Sequence, residues 1–449
     1  MVLKVRSSVV HRIRRMREFQ LRKRIVAGKV QALDLDGGGE DDGDKKQPEI
    51  RNQTMSTNRF FLCAVLLLSL AAIFLGSFQP SKVKFPVVKW KSPYASNKSC
   101  HARTNIMFLK THKTASSTIM NLLYRFTEKQ NLTIALPAGR SFHLGYPWLF
   151  LTTYVEGFDT EKRNYNIMCN HLRFNWPEVQ KVMPRHTIYF SIIRNPVSHL
   201  ESAFVYYKNV VPAFKNLKTL NDFLASPLSY YNESLAIKNA YAKNNMWFDF
   251  GYDNNAKDTE GYVRGSIKEI EERFQLILIA DYFDESMVLL KNTLCWDLDD
   301  VVYFKLNSRS RDTIQTLSRE SREKVKAWCS LDWQLYLHFN ETFWRKIEAT
   351  IGRKDLVREV ELLRQRQKEL MAVCVHNEKP TDKTEIKDLK LKPFQSGEAN
   401  ILGYNLKQDL DNETLAACQK MVMPELQYMA HLYTQQFPEK RPKNLEFLG

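Results

Sequence analysis

The sequence predicts an α/β fold: a P-loop-like parallel sheet with helices on both faces, preceded by a single transmembrane helix. Three observations predict it. Beyond residue 100, short β-rich apolar runs alternate with longer amphipathic segments, the pattern of parallel strands joined by helical crossovers. Asn105 to Arg125 (NIMFLKTHKTASSTIMNLLYR) passes from an apolar run through a turn of cations and hydroxyls. It then enters a segment whose apolar residues Ile119, Leu122, Leu123 and Phe126 recur at helical spacing. Phe60 to Phe78 is nineteen residues without a charge, long enough to span hydrocarbon.

Taken in order, residues 1–59 form a tail. Its first thirty residues carry ten Lys/Arg against the single acid Glu18, a composition suited to a basic membrane-surface helix. Residues 33–49 are a flexible acidic linker, and Met55 offers a second start. The span at 60–78 lies too deep in the chain for an ordinary signal peptide. Flanking lysines and arginines do not decide its orientation, but N-x-S/T tripeptides do better. Asn97, Asn131, Asn232, Asn340 and Asn412 lie after the span and only Asn52 before it, which predicts a single-pass type II anchor with the large domain lumenal. Residues 79–99, with three prolines and five lysines, read as a stem, and 100–449 as the folded domain.

Charge narrows the partner class. The net charge is +16, yet residues 79–449 hold 52 Lys/Arg against 42 Asp/Glu, a thin excess over a long domain. That suits a basic cleft for an anionic small molecule and not the dense basic face of a nucleic-acid binder. Six cysteines follow the span and allow fifteen full pairings; a bridge between Cys374 and Cys418 is the one expected. No Cys/His spacing suggests zinc, and no metal is expected.

Within the domain, strands are expected at 105–109, 132–136, 166–170, 187–193, 275–280 and 301–306. Helices are expected at 115–129, 196–208, 218–225, 284–294, 319–328, 332–350 and 354–373, the stripe Leu335, Phe339, Phe343, Ile347 being core. Ligands of such sheets sit outside the carboxyl ends of the strands. Lys113, His171, Arg194 and Asp281 all fall at such ends.

The turn Lys110, Thr111, His112, Lys113, Thr114, Ala115, Ser116, Ser117, Thr118 is suited to a phosphate, because a helix N-terminus supplies free N–H groups and the side chains add charge and donors. It is not a Walker A loop, since no glycine occurs from Asn105 to Gln130. From residues alone, a strand–helix corner capped by Thr114 or Ser116 is the alternative. A second stretch, TIYFSII followed by Arg194-Asn195-Pro196, places a cation at a strand end and Ser202 two turns into the next helix.

Arg194 and Ser202, eight apart, resemble the 3′-phosphate clamp of sulfotransferases that use 3′-phosphoadenosine 5′-phosphosulfate (PAPS), and the first turn resembles their 5′-phosphosulfate loop. The wording LKTHKTASST, IMCNHLRFN, DYFDES and ILGYNLK is similar to the galactose 3-O-sulfotransferase family, over roughly Cys100 to Leu406. The resemblance implies a PAPS-dependent Golgi enzyme that sulfates the 3-hydroxyl of a β-galactosyl residue without a metal. Its acceptor would be galactosylceramide or a related galactolipid, with N-acetyllactosamine or core-1 glycans as the alternative; a homo-oligomer is compatible with it. It implies that Lys113 neutralises the leaving oxygen and that His171, by its match to a strand-end histidine in uronyl 2-O-sulfotransferases, is the base. His112 and His143 compete for that role. Lys110, Thr111, Thr114, Ala115, Ser116, Ser117 and Thr118 would hold the 5′ end, Arg194 and Ser202 the 3′-phosphate, and Arg309, in Lys305 to Arg309, would close over the nucleotide. Phe142, Tyr146, Trp148, Phe174 and Trp176 flank the base; core packing is expected for most of them, with stacking on the apolar face of galactose as the other role. A lumenal kinase and a non-catalytic glycan-binding protein are the other two readings.

Overall fold

Ile106–Leu109 (β1) is buried along its whole length, as a central strand of a parallel sheet must be. The computed structural model describes residues 100–158 and 164–446. The tail, the membrane anchor and the stem expected from the sequence lie outside the described residues. Among the described residues no helix is long and apolar enough to cross a membrane.

After β1 the chain forms helix α1 (Ser116–Lys129), strand β2 (Ile167–Met168), strand β3 (Ile188–Ile193) and helix α2 (Pro196–Tyr207). Helices α3 (Leu220–Ala225) and α4 (Asn245–Asp249), strand β4 (Leu276–Ile279) and helix α5 (Phe283–Leu294) follow. The C-terminal part is helical: α6 (Arg319–Trp328), α7 (Ser330–Thr350), α8 (Arg353–Cys374), α9 (Asn412–Val422) and α10 (Glu425–Gln436). The four strands are all parallel, in the order β2-β1-β3-β4, and helices flank the sheet.

That order sets the site. From β1 the chain moves to one edge to make β2, then crosses back to make β3 and β4 on the other side. The carboxyl ends of β1 and β3 therefore border the crevice where such sheets bind ligands.

Two expected strands are absent. Residues 132–136 give only an isolated bridge, Ile134 to Ile167, because the chain bends toward α10, where Gln436 bonds both the Ile134 amide and carbonyl. At 301–306 the apolar run turns away from the sheet and packs on α1: Arg125 donates to the Val302 carbonyl at 2.5 Å and Leu306 N–H to the Thr118 hydroxyl at 3.2 Å. Both runs are apolar enough for a strand, but a buried coil reads the same by composition.

Helix α1 owes its place to one apolar face. Ile119, Met120, Leu123 and Tyr124 are fully buried, and Tyr124 meets Tyr428 of α10 edge-on with centroids 5.4 Å apart. The Asn121 amide donates to the Lys420 carbonyl of α9 at 2.8 Å. The last two helices are thus part of the frame that holds the crevice.

The expected bridge between Cys374 and Cys418 is present, and a second joins Cys100 to Cys295; Cys169 and Cys329 are free and buried. The first ties α8 to α9 across 44 residues. Closing a loop of that length removes about 4 kcal/mol of unfolded-state entropy in the chain-entropy estimate. Cys418→Ser is accordingly expected to lower denaturant stability by several kcal/mol, read as a lower unfolding midpoint with a larger m, because the freed loop lets the unfolded chain expand.

Candidate functional site: a cationic donor loop beside a stacked histidine pair

The loop after β1 has the backbone of a phosphate cradle without glycines. Lys113 and Ala115 stand in the left-handed region, with φ of 55° and 62°. For residues with a Cβ this costs about 1–2 kcal/mol each, so the loop must be held from outside. The Thr111 hydroxyl donates to the Ile192 carbonyl of β3, and the Ser116 and Thr114 hydroxyls both turn back to the Thr111 carbonyl, at 2.6 and 3.1 Å. From the next strand end, the Arg194 guanidinium donates through Nη1 to the Lys113 carbonyl at 3.1 Å.

These bonds overturn the ordinary capping alternative. The N-cap of α1 is Ala115, no side chain caps it, and its first turn carries no acid. The first N–H groups and the positive dipole end of the helix are thus left without a side-chain cap, a place for an anion.

Cations converge there. Lys113 Nζ rests on the Tyr206 ring, 3.6 Å from its centroid. Burial, with Arg194, Arg309 and Lys110 close by, pushes its ammonium down to about 7. Arg309 is anchored by Glu201 of α2 at 2.5 Å through Nη2, while its Nη1 is buried with no hydrogen-bond partner among the described residues. An orphaned guanidinium N–H amid mutually repelling cations fits a polyanion. Ser202 is buried beside Glu201 on α2. Asn307, in the segment expected to close over the nucleotide, approaches the Ser117 hydroxyl at 3.4 Å.

The depressed ammonium has a consequence in pH. Below about 7 Lys113 is charged; above it the free site loses that charge, and a bound anion restores it. The affinity for adenosine 3′,5′-bisphosphate should therefore fall as pH rises through 7, with a proton taken up on binding at the alkaline side. Calorimetry in buffers of different ionisation heat reads this uptake directly.

Beside the cations lie two imidazoles. His112 and His171 stack face to face, with centroids 3.8 Å apart and planes 7° apart. His143 stands edge-on to His171 at 5.4 Å. Lys110 holds both nitrogens of His171: its Nζ donates to Nε2 at 2.8 Å, and its carbonyl accepts from Nδ1 at 3.0 Å. An ammonium can only donate, so Nε2 is the lone pair and Nδ1 the N–H. Burial first, then His112, Lys110 and His143, keep the ring from charging.

A family model for galactose-3-O-sulfotransferases matches residues 45–436. The chain belongs to that family. Galactose-3-O-sulfotransferase 2 of Mus musculus is 56% identical over 404 residues, covering 88% of this chain and 99% of its own length. Its Homo sapiens counterpart is 55% identical over 391 residues, 87% and 97% of the two chains. Galactosylceramide sulfotransferase of Homo sapiens is 41% identical over 337 residues, 74% and 79% of the two. Membership makes the chain a sulfotransferase by family and implies PAPS as its sulfate donor.

In this sulfotransferase Lys110, Lys113, His171, Arg194 and Arg309 lie in one cluster, and Ser202 is buried on α2 next to Glu201, the residue that anchors Arg309. The Thr111 and Thr118 hydroxyls are bonded to the Ile192 carbonyl and the Leu306 amide. Asp281 accepts from the Asn195 N–H at 2.9 Å, behind Arg194. Sequence reasoning missed Glu425, the first residue of α10. Its carboxylate accepts from Ser117 at 2.7 Å and pairs with Lys110 at 3.1 Å. Although burial works against its charge, Lys110 and Ser117 hold it below the usual carboxylate range. It missed Asp249 as well, the last residue of α4, which bonds His112. Neither stands near a recognisable motif; only tertiary packing carries them in.

Proposed function

We propose that the protein transfers the sulfuryl group of PAPS to the 3-hydroxyl of a terminal β-galactosyl residue. The observation that carries this is the Arg194–Lys113 contact: two elements 81 residues apart in sequence meet at the crevice between β1 and β3. One basic strand end and one open helix terminus are thereby set side by side, a spacing suited to the two ends of a bisphosphorylated nucleoside. When bound, the donor supplies the sulfuryl group, whose S–O bond to the 5′-phosphate breaks as one to the sugar oxygen forms. The N–H groups of Ala115 to Thr118, with Lys110 and the Ser117 hydroxyl, would hold the 5′ end, and Arg194, Ser202 and Arg309 the 3′-phosphate. Lys113 would meet the charge growing on the bridging oxygen. Lys110 would leave Glu425 and His171 for the donor, so that His171 can serve as the base only after this move.

The acceptor is the finer question. The relatives at 55–56% identity are named for galactose alone, and those named for galactosylceramide are 39–41% identical. A galactose-ended glycan is therefore at least as well supported as a galactolipid. Of the five aromatics flanking the histidines, Tyr146 and Phe174 are buried, and only Trp148 is largely exposed, at 59%, free to meet a sugar face. Two disulfides suit an oxidising compartment, in keeping with a lumenal catalytic domain.

Labelled PAPS offered with galactosylceramide, N-acetyllactosamine and core-1 oligosaccharides tests the reading. Label on the 3-position of any of them is the expected result, and its distribution selects the acceptor. Label on none, or transfer that needs ATP and is abolished by a chelator, overturns it in favour of a glycan-binding protein or a kinase.

A further inference from the structure

His112 stands under His171 in the stack but is held quite differently. Its Nδ1 lies 3.1 Å from both carboxylate oxygens of Asp249, and its backbone N–H donates to Asp249 Oδ2 at 2.8 Å. Burial pushes the Asp249 carboxyl up, while the His112 backbone N–H, Tyr146, Lys110 and Arg173 work against that rise. With Oδ2 accepting the His112 backbone N–H, the carboxyl presents acceptor oxygens to Nδ1, which makes that nitrogen the N–H and leaves the lone pair on Nε2. Among the described residues nothing bonds Nε2. The contrast with His171 is direct: there the lone pair is already taken by the Lys110 ammonium.

Asp249 is placed with care. It is fully buried at the C-terminal end of α4, and the N-terminus of that short helix is fixed by Asp332, which accepts from Trp247 N–H at 2.8 Å and Met246 N–H at 3.3 Å. Phe174 N–H donates to the Asp249 carbonyl at 2.9 Å, locking α4 to the segment that follows His171. Gly251 keeps the two close: a Cβ there would lie 2.2 Å from the Phe174 carbonyl oxygen, at a φ of +96°. So the carboxylate, the imidazole it orients and the second imidazole belong to one packed unit.

We infer that Asp249 is a positioning residue of the reaction, holding His112 in the tautomer whose Nε2 takes the acceptor hydroxyl's proton, while His171 supports the ring by stacking. The inference rests on the sulfuryl-transfer reading above and assigns its base. As the sugar oxygen bonds sulfur, its proton passes to Nε2; the bond to the 5′-phosphate breaks with its electron pair on the phosphate oxygen; His112 then returns the proton to solvent. The imidazolium formed between these events faces the Asp249 carboxylate, which stabilises it. The other charged or titratable groups around His112 are Lys110, Lys113 and Glu425, with His171, His143, His199, Tyr146, Tyr207 and Tyr241. Burial and the two lysines keep the resting ring uncharged, as a proton acceptor must be.

The test uses the full chain with Asp249→Asn, His112→Gln and the pair together. An amide opposite His112 favours the wrong tautomer, so Asp249→Asn should lower kcat by about 10³–10⁴-fold, the scale of the equivalent change in a serine-protease triad. Affinity for adenosine 3′,5′-bisphosphate should stay within about threefold, and the double variant should be no slower than His112→Gln, because the two act as a unit. The residual rate should climb with pH as solvent replaces the base. Imidazole nitrogen-15 spectra read the same point without turnover: Nε2 of His112 unprotonated in the wild type and protonated in Asp249→Asn. The inference is overturned if His112→Gln keeps wild-type kcat, if the two losses multiply, or if wild-type His112 carries its proton on Nε2. Should Asp249→Asn fail to fold, His112→Gln and the wild-type spectrum decide. A wild type that sulfates no galactoside sinks the reaction assignment instead, and the tautomer then remains a separate, readable result.

Discussion

Lys113→Ala is expected to lower kcat by about 10²–10³-fold, the usual loss when one preorganised donor to a developing charge is removed. The reason is placement. Lys113 is the cation on the tightest part of the loop, between β1 and α1, and its Nζ lies over Tyr206 with no carboxylate bonded to it among the described residues. It costs the resting protein something to keep it there, as its fall to about 7 records. Charge that is costly before the reaction and neutralised as the bisphosphate departs acts on the barrier more than on binding. The affinity for adenosine 3′,5′-bisphosphate should accordingly change much less than kcat. Lys113→Gly supplies the control: it relaxes the left-handed backbone at φ 55° yet should be just as slow. If Lys113→Gly recovers the rate, the loop's shape and not the ammonium is what matters.

Arg194→Ala is expected to weaken the bisphosphate by roughly 10–100-fold, the loss of one or two charge-assisted hydrogen bonds. Its effect should fall on KM for the donor and on product affinity, with kcat at saturating donor within about tenfold of wild type. Arg194 also braces the Lys113 carbonyl at 3.1 Å, so part of the loss will come through the loop. Arg194→Lys will not repair it, since an ammonium cannot span the fork that a guanidinium offers. Adenosine 5′-phosphosulfate, which lacks the 3′-phosphate, should lose only the smaller share of affinity that passes through the loop; a loss as large as that for the bisphosphate would place Arg194 elsewhere on the donor.

Much of this was legible in the sequence, and the reasons differ from element to element. β1, β3 and β4 announce themselves as short apolar runs because a strand buried on both faces has no polar side to show. α1 and α2 follow from periodicity and from Pro196 at a first helical position. Lys113, Arg194 and His171 stand out as candidates because strand ends in this architecture border the crevice where ligands bind. By contrast, 301–306 was misread because an apolar run packed on α1 has the composition of a strand. The backbone of Lys113 and Ala115 was out of reach: nothing in KTHKTASST says that residues with side chains will take up φ values usually left to glycine. Glu425 and Asp249 were invisible for a related reason. Each is an ordinary acid at the end of a helix, and only the contacts of Glu425 with Lys110 and Ser117, and of Asp249 with His112, give it a part in the site.

A crystal structure with adenosine 3′,5′-bisphosphate bound tests the central claim most directly. The account places its 5′-phosphate on the N–H groups of Ala115 to Thr118 with Lys113 at the bridging position, its 3′-phosphate on Arg194 and Ser202, and Lys110 drawn off His171. A nucleotide lying elsewhere, or with its phosphates reversed between the two elements, would contradict it.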